Sequence, residues 1–183
     1  YKDIVTNSEL LSESKLIQAL VDPTGDAIDL NSGNTLISKE AVDELRPPEE
    51  VFDIFTSDSS QRVCIDAALR GLTFTIDGPP GTGKTQTITN ILANVIQQGK
   101  SVLFVAEKAT ALTAVYDNLA KRGLEGHVVS LQDSKTTRSS FAKQLEEVLA
   151  RGDSREALVT PMSASSISDL KRARQELSLQ AEA

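Results

Sequence analysis

The chain has 183 residues, 39% of them apolar, and its 19 basic and 26 acidic side chains leave a net charge of −7. That is enough apolar material for a buried core, while the single cysteine, Cys64, excludes an internal disulfide framework. The net acidity argues at first against a nucleic-acid partner, but it is unevenly spread: residues 1–60 hold 4 basic and 13 acidic side chains, residues 61–183 hold 15 and 13. The later part is near neutral and permits a nucleic-acid groove. No apolar run approaches the roughly 20 residues that span a bilayer, and no basic-then-apolar leader opens the chain, so a soluble, cytoplasmic protein without membrane contact is expected. The start at Tyr1 and the end within a helix-forming stretch read as part of something longer.

Residues 1–57 read as an acidic, mostly helical lead-in. Leu10, Leu16, Ile17 and Leu20 fall near helical spacing, with Pro23 and Gly25 as stops. A turn-rich passage, Asp29–Asn34, follows. Ser38 can cap a short helix through Leu45, which Pro47 and Pro48 end. Asp58 or Ser59 can cap the next helix, whose apolar face is read as Val63, Cys64, Ala67, Ala68 and Leu69, with Gly71 closing it. Gln61 stands in its first turn. Its amide can match the acceptor and donor on an adenine edge, but on spacing alone a solvated glutamine on an exposed face is the better account.

The next stretch organises the chain. Leu72–Ile76 is a short apolar run that suits a strand. It leads through Gly78-Pro79-Pro80-Gly81-Thr82-Gly83-Lys84-Thr85 into a helix beginning Gln86-Thr87-Ile88. Glycines 78, 81 and 83 let the backbone turn with its amides inward, and the unpaired N–H groups at the helix start complete an anion cradle. Pro79 and Pro80 stiffen the entry. Lys84 would reach the β- and γ-phosphates, and the Thr85 hydroxyl would ligate the Mg2+ that bridges them. The chemistry expected here is a purine nucleoside triphosphate site.

After Gly99, Ser101–Ala106 is a β-branched apolar run that suits a buried parallel strand, and a helix starts at Glu107. His127–Leu131 reads as a third strand before a helix from about Arg138 to Leu149. Alternating strands and helices imply a parallel sheet with right-handed crossovers. His127, the lone histidine, has no cysteine or second histidine near it and is read as structural. A last helix, from about Ser166 through Leu177, has no partner in sequence.

Ser59-Ser60-Gln61, the loop with Gln86-Thr87-Ile88, and Val102–Lys108 with Ala111-Leu112 and Val115-Tyr116 together resemble the first part of a superfamily 1, up-frameshift-type DNA/RNA helicase motor. The resemblance covers about residues 46–150 and is narrowest with large bacterial AAA-domain helicases. It implies an α/β fold: a partial RecA-like P-loop NTPase domain (58–150), preceded by the lead-in (1–57) and followed by the start of a helical insert (151–183). It further implies ATP and Mg2+ as cofactors. Gln61 would read adenine, residues 78–86 would hold the nucleotide, and Glu107, Lys108 and Thr110 would lie along the backbone of single-stranded DNA or RNA. On its residues alone, Glu107-Lys108 reads equally as a solvated pair at a helix end.

One departure from a complete motor has consequences. No run of four apolar residues followed by Asp-Glu comes after residue 85; Val102–Glu107 is nearest, with Ala106 at the aspartate position. An arginine finger from a second motor domain is also missing from these residues. The chain by itself is therefore expected to bind nucleotide and to turn it over negligibly. Two alternatives stay open, an AAA+ ATPase that remodels proteins and a non-hydrolysing, nucleotide-gated interaction module.

Overall fold

The computed structural model describes residues 2–21, 29–47, 50–131, 138–152 and 164–181. The helical stops Pro23 and Gly25, Pro48, and the polar residues Asp153 and Ser154 lie outside them. Helices α1 (Lys2–Thr6), α2 (Ser8–Glu13), α3 (Lys15–Val21) and α4 (Val42–Leu45) precede the glycine-rich loop. α5 (Ser59–Leu69) and α6 (Lys84–Gln97) flank that loop, and α7 (Ala109–Ala120), a 3-10 turn (Glu125–His127), α8 (Arg138–Gly152) and α9 (Ala164–Ala181) follow.

The lead-in is less helical than expected: α1–α3 occupy residues 2–21, but among the described residues of 29–57 the α-helix is the four-residue α4. Residues 8–20 form two helices parted at Ser14, whose ψ of 115° takes it out of the helical region. α1, α2 and α3 bury no residue, so local hydrogen bonding and not a shared core holds them. Ser38 is not the cap of α4: Ala41 holds that position without a side-chain hydrogen bond, and the Ser38 hydroxyl accepts from the Ala41 N–H at 3.2 Å in the turn before the helix.

Asp58 is the cap of α5, and the cap is reciprocal. Its carboxylate accepts from the Gln61 N–H at 2.9 Å, while the Gln61 side chain accepts from the Asp58 N–H at 3.1 Å, which satisfies two otherwise orphaned donors. At the other end Gly71 takes φ +75°, and Leu72 N–H returns to the Ala67 carbonyl at 2.9 Å. The buried face differs from the expected one. Ile65, Asp66 and Ala67 are buried, while Val63, Cys64, Ala68 and Leu69 are only half-buried. Asp66 is accommodated because Arg70 pairs with it at 2.7 Å and carries that charge out to the surface.

The core lies between α6 and α7. Leu92 and Ala93 of α6 pack with Val115 and Leu119 of α7 and with Leu124, and Phe52, Ile54, Ile88, Phe104 and Val128 close over them. The three runs expected as strands, 72–76, 101–106 and 127–131, are not assigned to strands, and His127 ends the 3-10 turn. Among the described residues no strand ladder is present. The period of two nevertheless survives in 103–106, where Phe104 turns onto the core while Leu103 and Val105 are 82% and 75% exposed. No described helix is long and apolar enough to cross a membrane.

Candidate functional site

The residues between Asp77 and Lys84 form a tight loop ahead of α6. Gly81 and Gly83 take φ +88° and +76°, in the left-handed region where a side chain would be strained. Gly83 is also the N-cap of α6, so the helix opens on Lys84 with no side chain covering its first N–H groups. The Thr82 hydroxyl donates to the Pro79 carbonyl at 2.9 Å and closes the turn. A Cβ at Gly78 would come within 2.7 Å of Thr82 Oγ1. Gly78 has no room for a side chain, whereas Gly81 faces open space and is set by its backbone conformation alone.

Lys84 is folded back onto this loop. Its ammonium donates to the carbonyls of Gly78 and of Pro79, the latter at 2.7 Å. An ammonium with three donors takes the nearest carbonyl oxygens, so the side chain spans the mouth of the loop that it was expected to serve. Thr85 and Gln86 are exposed in the first turn of α6, and the Thr85 carbonyl accepts from the Thr89 hydroxyl at 2.7 Å.

Gln61 arrives at the same loop from α5. While its Oε1 accepts from Asp58, its Nε2 donates to the Thr82 carbonyl at 3.1 Å. It lies so close over Gly83 that a Cβ there would meet Gln61 Nε2 at 2.5 Å and Gln86 Oε1 at 3.3 Å. Two glutamine amides therefore converge over one glycine. An amide carries two N–H bonds and two lone pairs, so the Gln61 amide, after these two bonds, keeps one hydrogen and one acceptor site. In this structure Gln61 is half-buried, and its side chain is bonded both to the α5 cap and to the loop.

Behind the loop, sequence reasoning missed a polar cluster. On α6, Thr87, Thr89, Asn90 and Asn94 are buried beside Leu92 and Ala93. Asn90 Oδ1 accepts from the N–H groups of Ile54 and Phe55, both at 3.0 Å, and its Nδ2 donates to the Phe55 carbonyl at 2.9 Å. Asn94 Oδ1 accepts from the Phe52 N–H at 3.1 Å and from the buried Arg46 guanidinium at 3.0 Å. Asn94 Nδ2 reaches the Phe52 carbonyl, the Asp53 carboxylate and the Asn90 carbonyl. The available sequence signal was two asparagines four apart on a helix that otherwise reads as core-facing.

Glu107, Lys108 and Thr110 are exposed where the chain enters α7, with Lys108 as its N-cap at φ −103°, ψ 127°. The structure gathers Gln61 and residues 78–86 at one place and leaves these three outside that cluster of bonds. Among the described residues no group of histidine, cysteine and carboxylate side chains could hold a metal by itself. α9, expected to lack a partner, reaches back to the lead-in: Arg174 Nη1 donates to the Arg46 carbonyl at 2.8 Å.

A family described as an AAA domain matches residues 56–182. The chain belongs to that family, and so to the superfamily 1 helicase motors of the up-frameshift type with their P-loop NTPase fold. Over 62 residues, a third of the chain and 6% of the relative, it is 52% identical to an uncharacterised ATP-dependent helicase, MG140, of Mycoplasma genitalium. Over 112 residues, 58% of the chain and 11% of the relative, it is 37% identical to the mouse DNA-binding protein SMUBP-2. The chain thus spans only a small part of the curated relatives it matches. No solved structure matches it.

Proposed function

We propose that the chain is the nucleotide-binding part of an ATP-dependent helicase or translocase, one that couples ATP hydrolysis to movement along single-stranded DNA or RNA. The observation that carries the reading is the convergence of Gln61 of α5 on the loop that opens α6. A bare anion site needs only the loop and the helix start; a base-reading amide fixed beside it implies a nucleotide.

In this reading Gly78, Pro79, Pro80, Gly81, Thr82 and Gly83 supply backbone around the phosphates, and Lys84 leaves its two carbonyls for phosphate oxygens. Gln61, with Gln86 beside it, meets the base. The loop suits Mg2+-ATP: a Cβ at Gly78 would crowd Thr82 and one at Gly83 would crowd Gln61, and the exposed Thr85 hydroxyl is free of any bond that would bar it from the ion. Bound Mg2+ would neutralise charge on the β- and γ-phosphates. Glu107, Lys108 and Thr110, at the entrance to α7, are assigned to the nucleic-acid backbone. The parallel sheet belongs to this proposal too, with strands at 72–76, 101–106 and 127–131, as does the division into lead-in (1–57), motor part (58–150) and insert (151–183). The remaining motor domain of the intact protein is the expected partner, and the cytoplasm the expected compartment.

The test is ATP turnover by the intact protein with and without single-stranded DNA or RNA, beside Lys84→Ala. Stimulation by either polymer that the variant loses supports a nucleic-acid motor. Lys84-dependent turnover indifferent to both would transfer the proposal to protein remodelling, and binding without turnover would leave a nucleotide-gated module.

A further inference from the structure

The proposed site uses Gln61 and the loop, and it leaves unexplained why two asparagines are 1% exposed on the helix behind them. Asn90 and Asn94 stand one turn apart on one stripe of α6. Between them they bond five backbone groups of the preceding segment: N–H and carbonyl of Phe52, N–H of Ile54, and N–H and carbonyl of Phe55. An apolar stripe would bury the same segment but let it slide along the helix, whereas satisfied hydrogen bonds in a dry interior fix its register. Three residues after Phe55, Asp58 caps α5 and holds Gln61. α6 therefore governs both sides of the site, the loop through its first turn and Gln61 through residues 52–58.

We propose that Asn90 and Asn94 are positioning residues for base recognition. They fix the 52–58 segment so that the hydrogen and the lone pair left on the Gln61 amide face the base of a bound nucleoside triphosphate. The inference rests on reading Gln61 as the base-reading amide. Adenine offers a donor and an acceptor to such an amide, N6 and N7, while guanine offers two acceptors, so the ratio of ATP to GTP affinity reports the alignment.

The experiment measures binding of ATP, GTP and inorganic tripolyphosphate to the intact protein and to Gln61→Ala, Asn90→Ala and Asn90→Ala/Gln61→Ala. The wild type is expected to prefer ATP to GTP by about tenfold. Gln61→Ala and Asn90→Ala should each bring that preference within about twofold of unity and keep tripolyphosphate affinity within about threefold, and the double variant should go no further than Gln61→Ala. Asp58→Ala breaks the same relay at an exposed cap, where folding is not at stake, and must also lower the preference. If Asn90→Ala or Asp58→Ala weakens all three ligands alike and keeps the wild-type preference, the asparagines serve stability only and the inference falls while the proposed site stands. If Gln61→Ala itself keeps the preference, the base-reading role falls and takes the inference with it.

Discussion

Lys84 bridges the two loop carbonyls with a group that would otherwise meet a triphosphate, so its removal deletes charge-assisted hydrogen bonds and leaves the loop backbone intact. Lys84→Ala is expected to cost roughly 2 kcal/mol or more in ATP binding, about 30-fold in affinity, with little change in melting temperature; titration with ATP beside a thermal melt separates the two. Gly83→Ala should do the opposite kind of damage. A Cβ at φ +76° is strained by roughly 1–2 kcal/mol, and it would also displace the Gln61 amide that lies 2.5 Å from its position. Loss of both stability and ATP binding is the expected outcome. At Cys64, burial and then the charge of Asp58 push the thiol above its usual range. The folded protein therefore holds that proton to higher pH than the unfolded chain, so this contribution to stability is complete below the unfolded thiol's pKa and is lost as pH rises through the folded one. Alkylation of Cys64 by iodoacetamide at pH 8 should be slower than that of a free thiol, and Asp58→Asn should speed it; an unchanged rate would remove Asp58 as a cause.

At the scale of elements, α5 and α6 differ in how much of them the sequence displayed. The α5 cap was legible as far as Asp58 or Ser59, because its partners are neighbours in the chain, and the structure decides for Asp58 through a capping box with Gln61 three residues later. Asp58→Ala should cost about 1 kcal/mol, seen as a melting temperature lower by a few degrees. The buried stripe of α6 was not legible, since the partners of Asn90 and Asn94 lie 35–48 residues away and asparagine is usually an exposed residue. Asn94→Ala would leave the Arg46 guanidinium and the Phe52 N–H without a shared acceptor. With an unsatisfied buried group costing about 1–3 kcal/mol, a loss near 3 kcal/mol is expected, read as a lower urea midpoint at unchanged slope. The strand runs are a different case. Their apolar, β-branched pattern is that of sheet-forming segments, but a ladder needs paired neighbours, none is present among the described residues, and Leu103 and Val105 stand exposed.

For the molecule as a whole, the core between α6 and α7 is modest. Leu92, at its centre, should lose about 2–5 kcal/mol on truncation to alanine, which would unfold a marginal domain. The 183 residues contain the loop and Gln61 but no apolar run ending in Asp-Glu after residue 85. Hydrolysis by this chain alone should therefore be negligible beside that of the intact protein, and comparable rates in a steady-state phosphate-release assay would show that the acidic partner is not needed. If Lys108 meets a nucleic-acid phosphate, Lys108→Ala should weaken single-strand binding by the intact protein uniformly across sequences and lower the salt slope by about one.

Sequence by itself determined the phosphate loop and the helix that follows it and narrowed the cap of α5 to Asp58 or Ser59, because each is written in residues that act on neighbours a few positions away. It determined the family as well: Gln61, residues 78–88 and the run into α7, which carry the resemblance, all lie within the matched span 56–182. Only the tertiary structure decided what Gln61 touches, where Lys84 rests and which face of α6 is buried. Those outcomes depend on groups far apart in the chain competing for the same few hydrogen bonds, and neither helical periodicity nor motif spacing carries the distance between them.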